Sequence, residues 1–149
     1  LIAEQSGSTY IMPGGVTPVF LAGISTGNRT VVHTYFTLTD STLNWEWMDN
    51  LATSISVSQE QTTNITTQPQ ITAMVSNSSV ADINNVSFVV VPFDTAGNAI
   101  NASETIVSDL RGDSSAQIGF TWPEPFTVAV SHIDIVPLVP PVPDKAAQK

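Results

Sequence analysis

The sequence has no cysteine and almost no positive charge. Without cysteine there is neither a disulfide framework nor a thiolate metal site. The basic residues are Arg29, Arg111, Lys145 and Lys149, against 13 acidic ones, so the formal net charge is −9. No basic patch can form to neutralise phosphates, which excludes nucleic acid as a partner on electrostatic grounds. A polybasic stretch for an anionic membrane surface is missing for the same reason. No apolar run approaches the ~18–20 residues that cross a bilayer as a helix, so direct membrane insertion is not expected. The chain shows no signal peptide and opens on Leu1-Ile2-Ala3-Glu4, which reads as the inside of an element. It is expected to be a processed product or a fragment of something longer.

Charge of either sign is scarce, at 11% of 149 residues, roughly half the ~25% usual in soluble domains. Hydrophobic residues make up 42%, enough for a core, so the surface must be mostly Ser, Thr, Asn and Gln. Neutral hydroxyls and amides keep a surface wet without charge. That composition points to a secreted or cell-surface protein.

Period-two alternation dominates the chain. In residues 29–39, Val32, Thr34, Phe36 and Leu38 share one face, with Val31, His33, Tyr35 and Thr37 on the other. Residues 16–24 are a second apolar run, between turns at Pro13-Gly14-Gly15 and Ser25-Thr26-Gly27-Asn28. Trp45 and Trp47, two apart, face the same way on a strand. Ile55 and Val57 precede a polar stretch over residues 58–70. Ile71, Ala73 and Val75 alternate, as do Ala116, Ile118 and Phe120, and then Ile133 and Ile135. Residues 86–93 form the strongest strand signal, apolar on both faces and followed by the turn Asp94-Thr95-Ala96-Gly97-Asn98. Helical periodicity is absent, apart from one short turn within residues 43–51. The Pro-rich run over residues 137–143 favours polyproline II, as a linker or as an edge strand given to something else. Turn signals every 8–12 residues fit a β-sandwich.

A weak internal repeat relates residues 98–107 to residues 1–10, each lying before a turn, a β run and a tryptophan. On that reading residues 1–50 are the back half of one unit, 51–137 a whole unit, and 138–149 a Pro-rich tail. A half sandwich exposes an apolar face and open strand edges. Either upstream chain covers it, or a neighbour donates a strand, which builds a head-to-tail filament. The plainer alternative packs residues 1–50 onto the second unit as one larger sandwich.

The stretch Asn77-Ser78-Ser79, then Asn85-Val86-Ser87-Phe88-Val89-Val90-Val91-Pro92-Phe93-Asp94-Thr95-Ala96-Gly97-Asn98, resembles the FxLYD-type immunoglobulin-like domains of bacterial and archaeal surface proteins. Phe93-Asp94 holds the place of the usual Tyr-Asp. Phe120-Thr121-Trp122-Pro123-Glu124-Pro125-Phe126 and the segment from Gly7 to Gly14 are similar to segments of uncharacterised tandem-domain envelope proteins of candidate-phyla bacteria. The resemblance implies an envelope location, and its motifs carry no chemistry.

Asn28, Asn64, Asn77, Asn85 and Asn101 each open an Asn-X-Ser/Thr sequon and are candidate glycosylation sites. Asn28, Asn64 and Asn77 fall in expected turns or polar stretches, where a glycan is tolerated. Arg111-Gly112-Asp113 is a tripeptide that some integrins read, here in an ordinary turn context. His33 and His132 are not spaced as metal ligands, and no Gly-X-Ser-X-Gly is present. Glu46 and Glu124 are the carboxylates to test as a glycosidase pair. Trp45, Trp47 and Trp122 are candidates for a sugar platform, with caps on the ends of a core as the commoner role. Asp82, Asp94 and Asp109 lie near turns without calcium-loop spacing.

The expectation is therefore an all-β chain of immunoglobulin-like sandwich units, the N-terminal one partial or completed by another chain. Its expected role is non-enzymatic, without a cofactor: a subunit of an extracellular filament or a stalk segment. The expected partners are other copies of itself or adjacent domains of a longer chain. The rival is a monomeric adhesion or carbohydrate-binding module using Trp45 and Trp47.

Overall fold

The computed structural model describes residues 1–9, 11, 14–39 and 54–140. Six strands are described: β1 (Ile55–Thr63), β2 (Gln70–Asn77), β3 (Ile83–Phe93), β4 (Ser103–Leu110), β5 (Ser114–Thr121) and β6 (His132–Leu138). They form two antiparallel three-stranded sheets, β1-β2-β5 and β4-β3-β6. The chain is all-β, with its core between the sheets.

The alternation in the sequence sets which face is inside. Ile71, Ala73 and Val75 of β2 are buried, and the register places Phe120, Ile118 and Ala116 of β5 beside them. A one-residue slip would turn all six outward, so burial fixes the register. In the other sheet Val86, Phe88 and Val90 of β3 point inward. Phe88, Val90 and Pro92 lie beside Pro137, Ile135 and Ile133 of β6. β3 is the central strand and carries Val89, almost fully buried, on its other face. Pro92 causes no loss there, because β4 pairs with β3 only as far as Val90. The Pro92 carbonyl still accepts from the Ile100 N–H at 2.8 Å.

The structure extends two elements beyond the sequence reading. β1 continues through the polar residues Gln59 to Thr63, with a register shift between Ser58 and Gln61 and Gln59 at φ 53°. Such a bulge kinks an edge strand and discourages further pairing. Leu138 and Val139, assigned above to the Pro-rich tail, are buried, Val139 within the main core. The sandwich therefore runs through Val139.

The described residues among 1–39 contain no strand or helix. Residues 29–39 alternate as a strand should, yet have no ladder there. Val32 is 78% exposed, Phe36 65% and Leu38 56%. Alternation signals that a segment can bury one face; it does not supply the neighbouring strand. The earlier part folds back on itself: Arg29 Nη2 donates to the Ile2 carbonyl at 3.0 Å and Gln5 Nε2 to the Ala22 carbonyl at 3.5 Å.

At one end of the sandwich the expected turn after β3 is present. Asp94 Oδ1 accepts from the N–H groups of Ala96 and Asn98, both at 2.8 Å, and Oδ2 from Asn98 Nδ2 at 3.0 Å. Gly97 supplies φ 80°. The Asn98 side chain, then its backbone N–H, holds the Asp94 carboxyl below the ordinary aspartate value. A lowered folded value means the turn gains from the carboxylate above the unfolded value, and loses that gain as pH falls through the folded one. An NMR titration should find the Asp94 carboxyl protonating at lower pH in the folded chain than in a peptide of residues 92–100; equal midpoints would contradict this.

Candidate functional site

The opposite end is organised by one buried amide. Asn77 is 1% exposed. Its Nδ2 lies 2.8, 3.1 and 3.2 Å from the carbonyls of Ala81, Leu110 and Arg111. Its Oδ1 accepts from the Ser79 N–H at 3.0 Å and the Ser79 hydroxyl at 2.8 Å. The side chain thus joins the end of β2, the 78–82 loop and the β4–β5 turn. The same turn contains Arg111-Gly112-Asp113. Gly112 N–H donates to Asp82 Oδ1 at 2.9 Å, and the Asp113 N–H to the Ser79 carbonyl at 2.9 Å. A Cβ on Gly112 would run into the Val80 carbonyl. The tripeptide is thus tied to the 79–82 loop, which accounts for its glycine structurally. Arg111 pairs with Asp109 at 3.3 Å, both well exposed, so little stability comes from that pair.

This geometry revises the reading of the sequons. Asn77 is no open bend, because both ends of its amide are bonded inside the fold. Asn28, Asn64, Asn85 and Asn101 are exposed. Asn64 and Asn85 have φ values of 53° and 55°, a region asparagine enters more readily than most residues. If the chain is made in a glycosylating host, peptide mapping should find no glycan on Asn77, whatever the occupancy of the other four. Substantial occupancy at Asn77 would mean that this end of the sandwich forms differently.

Other candidates are dispersed. Trp45, Glu46 and Trp47 lie outside the described residues, so the two-tryptophan platform and the carboxylate pair have no described geometry. Glu124 is exposed in the β5–β6 connection. No group of three metal-binding side chains occurs among the described residues. Asp82 accepts the Gly112 N–H from the β4–β5 turn, Asp94 accepts backbone N–H groups within its own turn, and Asp109 pairs with Arg111. His132 stacks on Phe93, with ring centroids 4.6 Å apart and planes 2° from parallel. His33 lies 6.4 Å from Tyr35, ring to ring. Trp122 is 6% exposed: its Nε1 donates to the Ala102 carbonyl at 3.2 Å and its ring meets Phe126 edge-on at 5.0 Å. It caps the core. The groove outside it, about 450 Å³, is lined by Asn64, Gln68, Gln70, Thr121, Trp122 and Pro123.

The feature the sequence reading missed is a seam along one side of the sandwich. β4 and β5 lie close together across the sheets and close the far side. The near side has β1 and β6 as edges. Ile55 and Val57 of β1, and Ile133 and Ile135 of β6, pack on the core but are only partly buried. Between the two edges runs an open groove of about 380 Å³, lined by Glu60, Thr62, Ile65, Val130, Ser131, His132 and Ile133. Incompleteness was expected within residues 1–50; the described open edge belongs to the second unit. No single residue marks it, since it follows from strand order. Compared with known protein families, curated proteins and solved structures, the chain matches none.

Proposed function

We propose that this chain is a non-enzymatic structural module of a secreted or cell-surface protein, which associates with copies of itself or with adjacent domains through β-strand pairing. We also take the sandwich to be immunoglobulin-like, of the FxLYD type. What supports that reading is the order of the described strands, β1-β2-β5 facing β4-β3-β6, which can be laid on an immunoglobulin-like sandwich up to its penultimate strand.

The observation that carries the assembly reading is the exposed, alternating segment 29–39, which has no described ladder. Exposed apolar stretches of this kind mark association surfaces. Uncharged polar side chains over much of the remaining surface support the extracellular reading. Light scattering on the size-fractionated chain tests the proposal. Mass rising above the 15.8 kDa of one chain as concentration rises is expected; a monomer at every concentration would sink it. The second reading, a carbohydrate-binding module, draws on the amide-lined groove beside Trp122. Calorimetric titration with oligosaccharides that saturates would favour that reading.

A further inference from the structure

We propose that Asn64 carries an N-linked glycan whose first sugars lie in the groove beside Trp122. This rests on the extracellular part of the reading above and is independent of assembly. Two observations meet at one residue: Asn64 opens the sequon Asn64-Ile65-Thr66, and it lines that groove.

The first observation is access. Transfer of a glycan to a folded chain needs the asparagine amide and the hydroxyl two residues on to be open together, as in a surface loop. In the β1–β2 connection Asn64 and Thr66 are both exposed. The Asn64 backbone carbonyl accepts from the Thr67 N–H at 3.0 Å and the Thr67 hydroxyl at 3.3 Å, while its side-chain amide has no partner among the described residues. The other sequons differ. Asn77 is bonded inside the fold. Asn85 lies within β3, where Val86 is buried and Ser87 pairs with both β4 and β6. The Asn101 side-chain oxygen accepts from the Ala102 N–H at 2.9 Å, and Ser103 is half-buried at the start of β4. Asn28 is open in its turn but does not line the groove.

The second observation is the groove itself. Its walls are fixed: the Phe126 N–H donates to the Ile65 carbonyl at 3.3 Å and the Trp122 N–H to the Pro69 carbonyl at 3.0 Å. Its volume, about 450 Å³, falls within the ~300–1,000 Å³ of ligand clefts. Trp122 and exposed Pro123 supply apolar surface, and exposed Gln68, Gln70 and Thr121 supply uncharged donors and acceptors. The described lining carries no charge. A sugar offers the matching surface, apolar C–H faces ringed by neutral hydroxyls. A free oligosaccharide gives up its translational and rotational freedom to bind there. A glycan tethered at Asn64 is already at high effective concentration, which makes the chain's own glycan the favoured occupant.

The attachment balances without redox chemistry. Asn64 Nδ2 attacks the anomeric carbon of a lipid-linked oligosaccharide and loses one proton. The bond from that carbon to the phosphate oxygen breaks, and the lipid phosphate leaves with the electron pair.

The test compares the full chain with Thr66→Ala, both produced in cells of the source organism and divided into extracellular and internal fractions. Peptide mapping of the extracellular chain should find glycan on Asn64, and Thr66→Ala should lose it with the circular dichroism unchanged. NMR of the glycosylated chain should show nuclear Overhauser contacts from the first sugars to Trp122, Pro123 or Gln70. The Trp122 Nε1–H and Gln70 amide resonances should shift between the two chains. An extracellular chain with Asn64 bare, whatever the other sequons carry, would overturn this inference and leave the extracellular reading standing. Glycan on Asn64 without contacts or shifts would overturn its seating in the groove. A chain found only in the internal fraction would overturn the extracellular reading and this inference with it.

Discussion

Asn77→Asp is expected to cost about 3–5 kcal/mol of unfolding free energy, the range for stranding a buried charge among unpaired polar groups. Asn77 is 1% exposed, and three carbonyls, of Ala81, Leu110 and Arg111, converge on its Nδ2. The carboxylate has no N–H to give them. It sets a negative charge against three carbonyl oxygens and orphans acceptors that water cannot easily reach. Single domains have about 5–15 kcal/mol in total, so a large part of the margin would go. Urea unfolding followed by circular dichroism measures it. The pH dependence carries a second signature. Burial among acceptors raises the pKa of the new acid, so the variant is least impaired at low pH, where the protonated acid can donate one bond, and worsens as pH rises through that raised value. Asn77→Ser, smaller and neutral with one donor, should lose less. A loss within 0.5 kcal/mol for Asn77→Asp, the range of ordinary surface changes, would mean that the three carbonyls do not depend on this side chain.

The Asn77 network was not legible in the sequence, where the residue reads as a sequon in an Asn- and Ser-rich bend. Composition reports that a turn is near; it does not report that the first residue of the bend ends a strand with its side chain inward. The core was legible, because Ile71, Ala73 and Val75 and then Ala116, Ile118 and Phe120 are half-buried strands whose period of two is imposed by one wet face and one dry one. β3 was legible for a different reason: it lies between β4 and β6, and its apolar run buries Val86, Phe88 and Val90 on the inner face and Val89 on the outer one. The outer part of β1 was not. Gln59, Glu60 and Gln61 lie on an edge and are exposed on both faces, so no burial pattern marks them as a strand. Leu138 and Val139 were concealed by flanking prolines, although an edge strand such as β6 tolerates proline wherever its N–H would face outward.

Residues 29–39 show the limit from the other side. Their alternation is as regular as that of β2, yet the described chain gives them no ladder. β2 lies between β1 and β5, a place that no described sheet gives residues 29–39. That β6 is an edge among the described strands was equally invisible, because it is a property of strand order. Thr34 and Phe36 could be placed on one face, and Tyr35 on the other, from sequence alone.

Trp122→Ala should cost about 3–5 kcal/mol, the range for truncating a buried aromatic, and thereby separate a core cap from a ligand platform. The indole is 6% exposed and belongs to the main core cluster. It ties three connections together. Its N–H donates to the Ala102 carbonyl in the β3–β4 loop, its backbone N–H to the Pro69 carbonyl before β2, and its ring packs edge-on against Phe126 after β5. Alanine removes the ring, leaves a cavity at the end of the core and frees the Ala102 carbonyl. Trp122→Phe keeps much of the volume and a ring against Phe126 but loses the indole bond, so it should cost only about 1 kcal/mol beyond any misfit of shape. Both are read from urea midpoints, with the slope checked for an unchanged two-state transition. If Trp122 instead served the groove beside it, alanine would leave the midpoint nearly unmoved and abolish binding of a sugar that saturates the wild-type chain. A large drop in midpoint for alanine, a small one for phenylalanine and no saturable sugar binding in the parent would assign Trp122 to the fold and leave assembly as the function to pursue.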